Sequence, residues 1–261
     1  MFALYLEALR WIIILGLATW IYSVYRKNVS MVDSLWSLMF LAAGLVYLGS
    51  PGEATARSLL IFSLVAIWAL RLSIFLTVRN HGQPEDRRYR EIRSNNQPNF
   101  ACKSLYIVFG LQGLLAWIIS VPLLFALGSD RGFHWLDLPA LLLWFTGFMF
   151  ETMADWQLYR FKKQGDSDDG VLSSGLWAYS RHPNYFGEFC IWWSFYLFAL
   201  PAGGAFTIYA PMLMTLLLLR ISGIGLMERK IRERRPAYQY YIDNTNAFFP
   251  GKPRLEGVIH D

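Results

Sequence analysis

Four groups of polar residues interrupt an otherwise apolar chain, and each has a spacing that could do chemistry. Glu151 and Asp155 are four residues apart, so a helix sets both carboxylates on one face. Two like charges there repel unless a donor or a cation joins them, a task that a ligand's hydroxyls or Arg160 could perform. The second group is Tyr179-Ser180-Arg181-His182-Pro183-Asn184-Tyr185-Phe186-Gly187-Glu188. Pro183 suits the first position of a helix, whose free amides attract an anion such as a phosphate. Arg181 can add a bidentate fork, and Asn184 and Glu188 form one polar stripe. The same pattern also serves as plain helix capping beside an interfacial arginine. Glu228 and Arg232 repeat the spacing of four, ahead of Tyr238 and Tyr241, and read either as a ligand site or as an intrahelical ion pair. Asp33 lies beside Trp36 early in an apolar segment, with Arg71 in the next one. That pair reads either as a catalytic acid with its neighbour or as a structural ion pair.

These groups have to be positioned by membrane helices. Hydrophobic residues make up 55% of the 261 and charged residues only 16%, and the apolar residues lie in long blocks. A span needs roughly 20 mostly apolar residues, and blocks at about 2–25, 31–50, 57–78, 104–127, 136–159, 185–200 and 203–226 meet that length. The expected fold is an all-α integral membrane protein, a bundle of about seven transmembrane helices. Pro201, Gly203 and Gly204 allow a tight hairpin or a re-entrant turn in place of the last crossing. The first block runs to Arg26 and Lys27 with no small-residue cleavage site, so it is read as a retained helix. Basic residues gather in alternate loops: Arg26 and Lys27, then Arg79 to Lys103, then Arg160 to Arg181, then the tail. The opposite loops hold Arg57 and Arg131. The positive-inside rule then places the amino terminus outside and the carboxyl terminus in the cytoplasm. Gly82 and Pro84 are expected to break the third helix. The tail, rich in Tyr and Phe, is expected to pack against the bundle.

The net charge of +5 follows from this topology and carries no nucleic-acid footprint. Cys102 and Cys190 fall in a loop and in a span, which excludes a disulfide framework or a thiolate metal site. The four histidines share no ligand spacing, so no metal is expected. No glycine-rich phosphate loop, Walker sequence or Gly-x-Ser-x-Gly elbow is present. No repeat or linker divides the chain, and it reads as one transmembrane domain over 1–261.

Gly175-Leu176-Trp177, the run from Ser180 to Glu188, Glu228, Tyr238, Tyr241 and Phe248-Phe249-Pro250 together resemble the membrane steroid 5α-reductases. Val32-Asp33-Ser34-Leu35-Trp36 and Glu85-Asp86-Arg87-Arg88-Tyr89 resemble further blocks of that family's bacterial branch. The resemblance covers most of the chain and is densest from about Gly147 to Pro250. It implies a seven-helix enzyme of the bacterial inner membrane that takes NADPH from the cytoplasmic side and reduces the carbon-carbon double bond of a 3-oxo-Δ4 steroid or similar lipid enone. Residues 1–130 would mainly serve the substrate and 131–261 mainly the cofactor. The family's cofactor-site Asn and Glu fall on Asn184 and Glu188, and its fifth-helix Asp on Asp155. Glu151 stands where the animal enzymes have Asn, and Glu228 where they have Tyr. Lys162 and Arg181 match positions resembling phosphate clamps; His182, Tyr185, Arg232 and Tyr241, in or beside the same blocks, complete the expected cofactor set.

On the substrate side the family's Gln-Glu pair falls on Asp33 and Ser34, and Arg71 is the nearest third-helix group to its carbonyl-polarising Tyr. Asp33 is thereby the expected acid or the orienter of one, with Arg71 beside it. The Arg181-His182-Pro183-x-Tyr185-x-Gly187 core also resembles isoprenylcysteine and phospholipid methyltransferases, which bind S-adenosylmethionine. Asp33, Trp36, the Glu-Asp-Arg-Arg-Tyr block and the basic residues favour the reductase. The sequence leaves the natural substrate and the oligomeric state open.

Overall fold

The computed structural model describes residues 1–50, 54–164, 170–221 and 237–254, so Glu228 and Arg232 lie outside the described residues. Among the described residues every regular element is helical. In chain order these are α1 (Phe2–Arg26), α2 (Met31–Leu48), α3 (Ala56–Asn80), α4 (Arg87–Asn95), α5 (Phe100–Ser104), a π-helical turn (Leu105–Gly110), α6 (Leu111–Ile119) and α7 (Val121–Leu127). There follow α8 (Asp137–Lys163), a 3-10 turn (Gly175–Ala178), α9 (Pro183–Ala199), two further 3-10 turns (Leu200–Ala202 and Ala205–Ile208), α10 (Tyr209–Leu216), a second π turn (Leu217–Ile221) and α11 (Ala237–Asn244).

Among the described residues four helices are long and apolar enough to cross a membrane: Phe2–Arg26, Met31–Leu48, Ala56–Asn80 and the joined Phe100–Ile119. The protein has the character of a multi-pass membrane protein. The other three expected spans are largely helical over their described residues but do not share that profile. The α8 helix is 27 residues long, yet it carries Asp137, Glu151, Asp155 and a basic last turn. The α9 helix stops after 17 residues and is followed by two 3-10 turns separated by Gly203, at φ +82°, and Gly204. Gly82, at φ +72°, follows the end of α3 as expected. The following stretch is not all loop: Asp86 caps α4 by accepting the Arg88 amide at 2.9 Å.

The chain forms two compact units, Met1–Trp135 with Phe198–Ala210, and Leu136–Leu197 with Pro211–Asp261. The core of the first is built on α2, whose Val32, Met39, Phe40, Ala43 and Tyr47 are wholly buried. Tyr5 and Trp117 stack at 4.2 Å, and each also donates a side-chain hydrogen bond to the other's carbonyl, which ties α1 to α6. Arg57, expected in a loop, instead lies in the first turn of α3 and is 1% exposed. Its guanidinium donates to the Phe198 carbonyl at 2.7 Å and the Ala126 carbonyl at 3.5 Å, near the ends of α9 and α7. Carbonyls near a helix end lack intrahelical donors, so a cation there is favourable.

In the second unit α8 and α9 meet at glycines. A Cβ on Gly147 would lie 2.5 Å from the Gly187 carbonyl oxygen, and one on Gly187 would lie 2.6 Å from the Glu151 amide nitrogen. Small residues let membrane helices approach at backbone distance. Here that approach brings Glu151 and Asp155 toward the start of α9. The chain beyond α11 packs as the aromatic tail is expected to: Phe248 and Phe249 make edge-on contacts with Phe186 and Phe189.

Candidate functional site

In the first unit the polar residues converge on Asp33, in the first turn of α2. Its two carboxylate oxygens are taken by the Tyr89 hydroxyl at 2.6 Å and the Arg88 guanidinium at 3.0 Å. Both donors come from the first turn of α4, 55 and 56 residues along the chain. Gln112, in the second residue of α6, donates its amide to the Tyr89 oxygen at 3.2 Å. Tyr89 is 5% exposed. Burial first, and then the Asp33 charge, push its hydroxyl well above the ordinary tyrosine range, while Arg88 and the Gln112 bond act the other way.

A strap of charged bonds holds α4 against the turn between α1 and α2. Glu85 accepts the Val29 amide at 2.8 Å and a double bond from Arg93, both contacts at 2.8 Å. The Ser30 hydroxyl accepts the Asp86 amide at 2.8 Å. Burial would raise the Glu85 carboxyl, but the Arg93 and Val29 bonds and the charges of Arg93 and Arg90 outweigh it and hold it below the usual carboxylate range. Asp86 is likewise held low, because Arg88 and Arg79 outweigh its burial. Arg93 also covers the Phe100 ring at 4.5 Å.

In the second unit the polar residues collect around the start of α9. Asn184 donates to Asp155 at 3.3 Å, joining α9 to α8. Glu188, one turn on, accepts the Trp192 indole at 3.0 Å. Glu151, Asp155 and Glu188 are each less than 8% exposed. His182 is buried and stacks on Tyr185 at 5.5 Å. The 3-10 turn is fastened beneath: Gly175 adopts φ +62°, the Gln157 amide fills the place of its missing Cβ, and Trp177 donates to the Ala154 carbonyl at 3.2 Å.

The donors of this region turn toward the tail. Arg181 gives one Nη to the Ile242 and Thr245 carbonyls at 2.9 and 2.5 Å, at the end of α11. Tyr241 donates to the Trp177 carbonyl at 2.5 Å, and Ser180 to the Phe248 carbonyl at 2.8 Å. The backbone adds Arg181 to Asn246 and Gly251 to Tyr179.

The expected residues therefore fall into distinct positions. Asp155, Asn184 and Glu188 come together with Glu151, His182 and Tyr185 nearby. Arg181 is bound to carbonyls at the end of α11, Tyr241 to the Trp177 carbonyl in the turn before α9, and Lys162 is exposed in the last turn of α8. For Asp33, the expected partner was Arg71; the bonds on its two oxygens come instead from Arg88 and Tyr89. Sequence reasoning missed Tyr89 and Gln112. The signal for Tyr89 was its place in the Glu-Asp-Arg-Arg-Tyr block; Gln112 had only its polarity inside an apolar segment. Cys102 and Cys190 are free thiols, the first in α5 and not in a loop. No cluster of metal-ligating side chains occurs among the described residues.

No solved structure matches the chain. A protein of Schizosaccharomyces pombe, "Uncharacterized protein C594.04c", is 31% identical over 287 residues, a match covering 95% of this chain and 79% of that protein. Residues 19–245 match the family described as "Protein of unknown function (DUF1295)". That span holds α2 to α10, both polar clusters and α11, and on it the chain belongs to the DUF1295 family, a membrane family similar in general to the steroid 5α-reductases.

Proposed function

We propose that this protein is an NADPH-dependent reductase of a lipid enone, a 3-oxo-Δ4 steroid or a molecule of like chemistry. The observation that carries the reading is the Tyr89–Asp33 bond at 2.6 Å, a buried hydroxyl on a carboxyl group within the substrate-side unit. Reduction of an enone needs an acid at the ketone oxygen, where negative charge develops as hydride reaches the β-carbon. Tyr89 supplies the hydroxyl that the sequence alone did not locate. With Asp33 protonated, the bond between them runs from Asp33 to Tyr89, which leaves the tyrosine hydrogen for the ketone. After transfer Asp33 is a carboxylate beside the Arg88 cation, and water restores its proton.

The chemistry of the second cluster fits the cofactor. Asp155, which takes the Asn184 amide, and the buried Glu188 and Glu151 are acceptors on α8 and α9 suited to sugar hydroxyls and a carboxamide. Lys162, exposed at the end of α8, suits a phosphate. NADPH would supply the hydride, and these residues would bind and orient it. The reading includes seven crossings, with α8, α9 and α10 added to the four long helices, and a cytoplasmic carboxyl terminus. It is supported by the basic residues from Arg79 to Lys103 and from Arg160 to Arg181.

The test is NADPH oxidation by the detergent-purified protein with and without progesterone or testosterone, beside Asn184→Ala and Glu188→Ala. Enone-dependent oxidation, lost in both variants, is the expected result. Saturable S-adenosylmethionine binding without any oxidation would move the assignment to a methyltransferase.

A further inference from the structure

The geometry points to Gln112 as a positioning residue that aims the Tyr89 hydroxyl at the substrate. This rests on the enone-reductase reading and extends it to a residue outside the blocks that carry the family resemblance. A phenol oxygen has two lone pairs and one hydrogen. In the structure the Gln112 amide occupies one lone pair of Tyr89 at 3.2 Å, and Asp33 is its second partner at 2.6 Å. Once Asp33 is protonated and donates, both lone pairs are filled by protein donors. The hydroxyl hydrogen is then the one remaining valence, and its direction is set by the other two. In the structure, with Tyr89 as donor, that hydrogen lies on Asp33; in the reacting state, with Asp33 protonated, loss of the Gln112 bond frees the phenol to turn about its C–O bond and carry its hydrogen away from the ketone.

The same amide meets the charge that the reaction creates. As hydride adds to the β-carbon, the alkene electron pair moves through the conjugated system to the ketone oxygen. Tyr89 gives its proton to that oxygen, forming the enol, and the O–H bond pair stays on the phenol oxygen. Asp33 then reprotonates Tyr89. The α-carbon later takes a proton from water as the enol returns to the ketone, so the net addition is one hydride from NADPH and one proton from solvent. Throughout, the Gln112 N–H points at the phenol oxygen and shares its transient charge.

The helix that carries Gln112 is shaped for this contact. The π turn Leu105–Gly110 ends two residues before it, inside the span Phe100–Ile119. Such a turn inserts about one extra residue, which rotates everything beyond it by roughly 100° relative to a continuous α-helix. On the near side of the turn, Ser104 faces α1 and accepts from Trp20 at 3.3 Å. On the far side Gln112 meets Tyr89. Cα geometry alone would not require a glutamine there, since an apolar side chain fills the same volume.

A kinetic cycle tests the inference. Gln112→Leu is expected to lower kcat about tenfold with KM within about twofold, a part of the 10²–10⁴ that a positioned acid contributes. In a Tyr89→Phe background, where no phenol oxygen remains, the same change is expected to have no further effect. Gln112→Met serves as a second apolar variant of matched length. Gln112→Glu accepts when ionised and donates when protonated, so its rate relative to wild type is expected to rise as the pH falls. Equal losses from Gln112→Leu in the wild-type and Tyr89→Phe backgrounds would overturn the role, because a purely structural effect is blind to the phenol oxygen. A wild-type protein inactive on every enone would overturn the reductase reading and this inference with it, and is told apart by the wild-type rate itself.

Discussion

The polar cluster of the first unit and that of the second are both held by hydrogen bonds, but the bonds run to different kinds of partner. Around Asp33 side chain meets side chain: Arg88, Tyr89, Gln112, Asp86, Glu85 and Arg93 carry bonds of this kind. Around Asn184 several donors spend themselves on main chain: Arg181 and Ser180 hold carbonyls of the tail, and Tyr241 holds that of Trp177 in the turn before α9. A network of titratable side chains can pass a proton. A scaffold of backbone bonds fixes a shape and leaves buried carboxyl groups as its chemical surface. Under the proposed function the first arrangement suits the reacting carbonyl and the second suits a large ligand that must be held still.

The sharpest way to break this contrast is to separate rate from binding. Tyr89→Phe is expected to reduce turnover by about 10²–10⁴ with the NADPH dissociation constant, read by fluorescence, unchanged. Glu188→Ala or Asn184→Ala is expected to weaken NADPH by about tenfold or more, the worth of a hydrogen bond to a charged group. If Tyr89→Phe weakened NADPH as much as Glu188→Ala does, the division of labour would be wrong.

Next in size is the glycine contact of the second unit. Gly187→Ala places a methyl 2.6 Å from the Glu151 amide, where only backbone can yield. A cost of about 1–3 kcal/mol is expected for such overpacking, seen as a lower thermal midpoint and weaker NADPH binding together. Arg181→Met is expected to cost about 1–3 kcal/mol by leaving buried tail carbonyls without their donor. Limited proteolysis should then cut the tail near Asn244 faster while the Tyr89 cluster still functions.

The smallest effect is one of pH. Glu85 and Asp86 titrate lower in the folded chain than when unfolded. Their contribution to stability is therefore full above the ordinary carboxylate range, about pH 4, and is lost as the pH falls through and below it. The thermal midpoint of Glu85→Gln is expected to lie below wild type at neutral pH and to converge with it under acid conditions. A gap that persisted at low pH would mean that the strap is not electrostatic.

Much of this architecture is legible in the residues, and its gaps have physical causes. Long apolar runs mark α1, α2 and α3 because a span has one overriding requirement, length in apolar residues. Gly82 and Pro84 mark the end of α3 because each limits the backbone locally. Asp155 and Asn184 lie in segments flagged by their polar spacing, and their meeting depends on the glycines between them. The α4 helix escaped notice because it is almost wholly polar, with Tyr89 its one buried residue. Tyr89 and Asp33 are 56 residues apart, and no periodicity encodes a contact at that distance. Arg57 looked like a loop charge because a buried arginine bound to carbonyls has no sequence signature. The π turn is silent for a similar reason: Leu105–Gly110 is as apolar as any α-helical stretch.

Arg57 also gives the first unit a history in time. Its bond to Phe198 spans 141 positions, and the segment 198–210 is part of the same compact unit as residues 1–135. Synthesis proceeds at about 5–20 residues per second, so the donor emerges roughly 7 to 28 seconds before its acceptor. During that interval the arginine can stay hydrated near the membrane surface, with α3 inserted but not yet locked. The amino-terminal half thus matures late, when the second half delivers the carbonyl it has been waiting for, and a nascent chain arrested before Phe198 would carry an unfinished first unit however many of its own helices had formed.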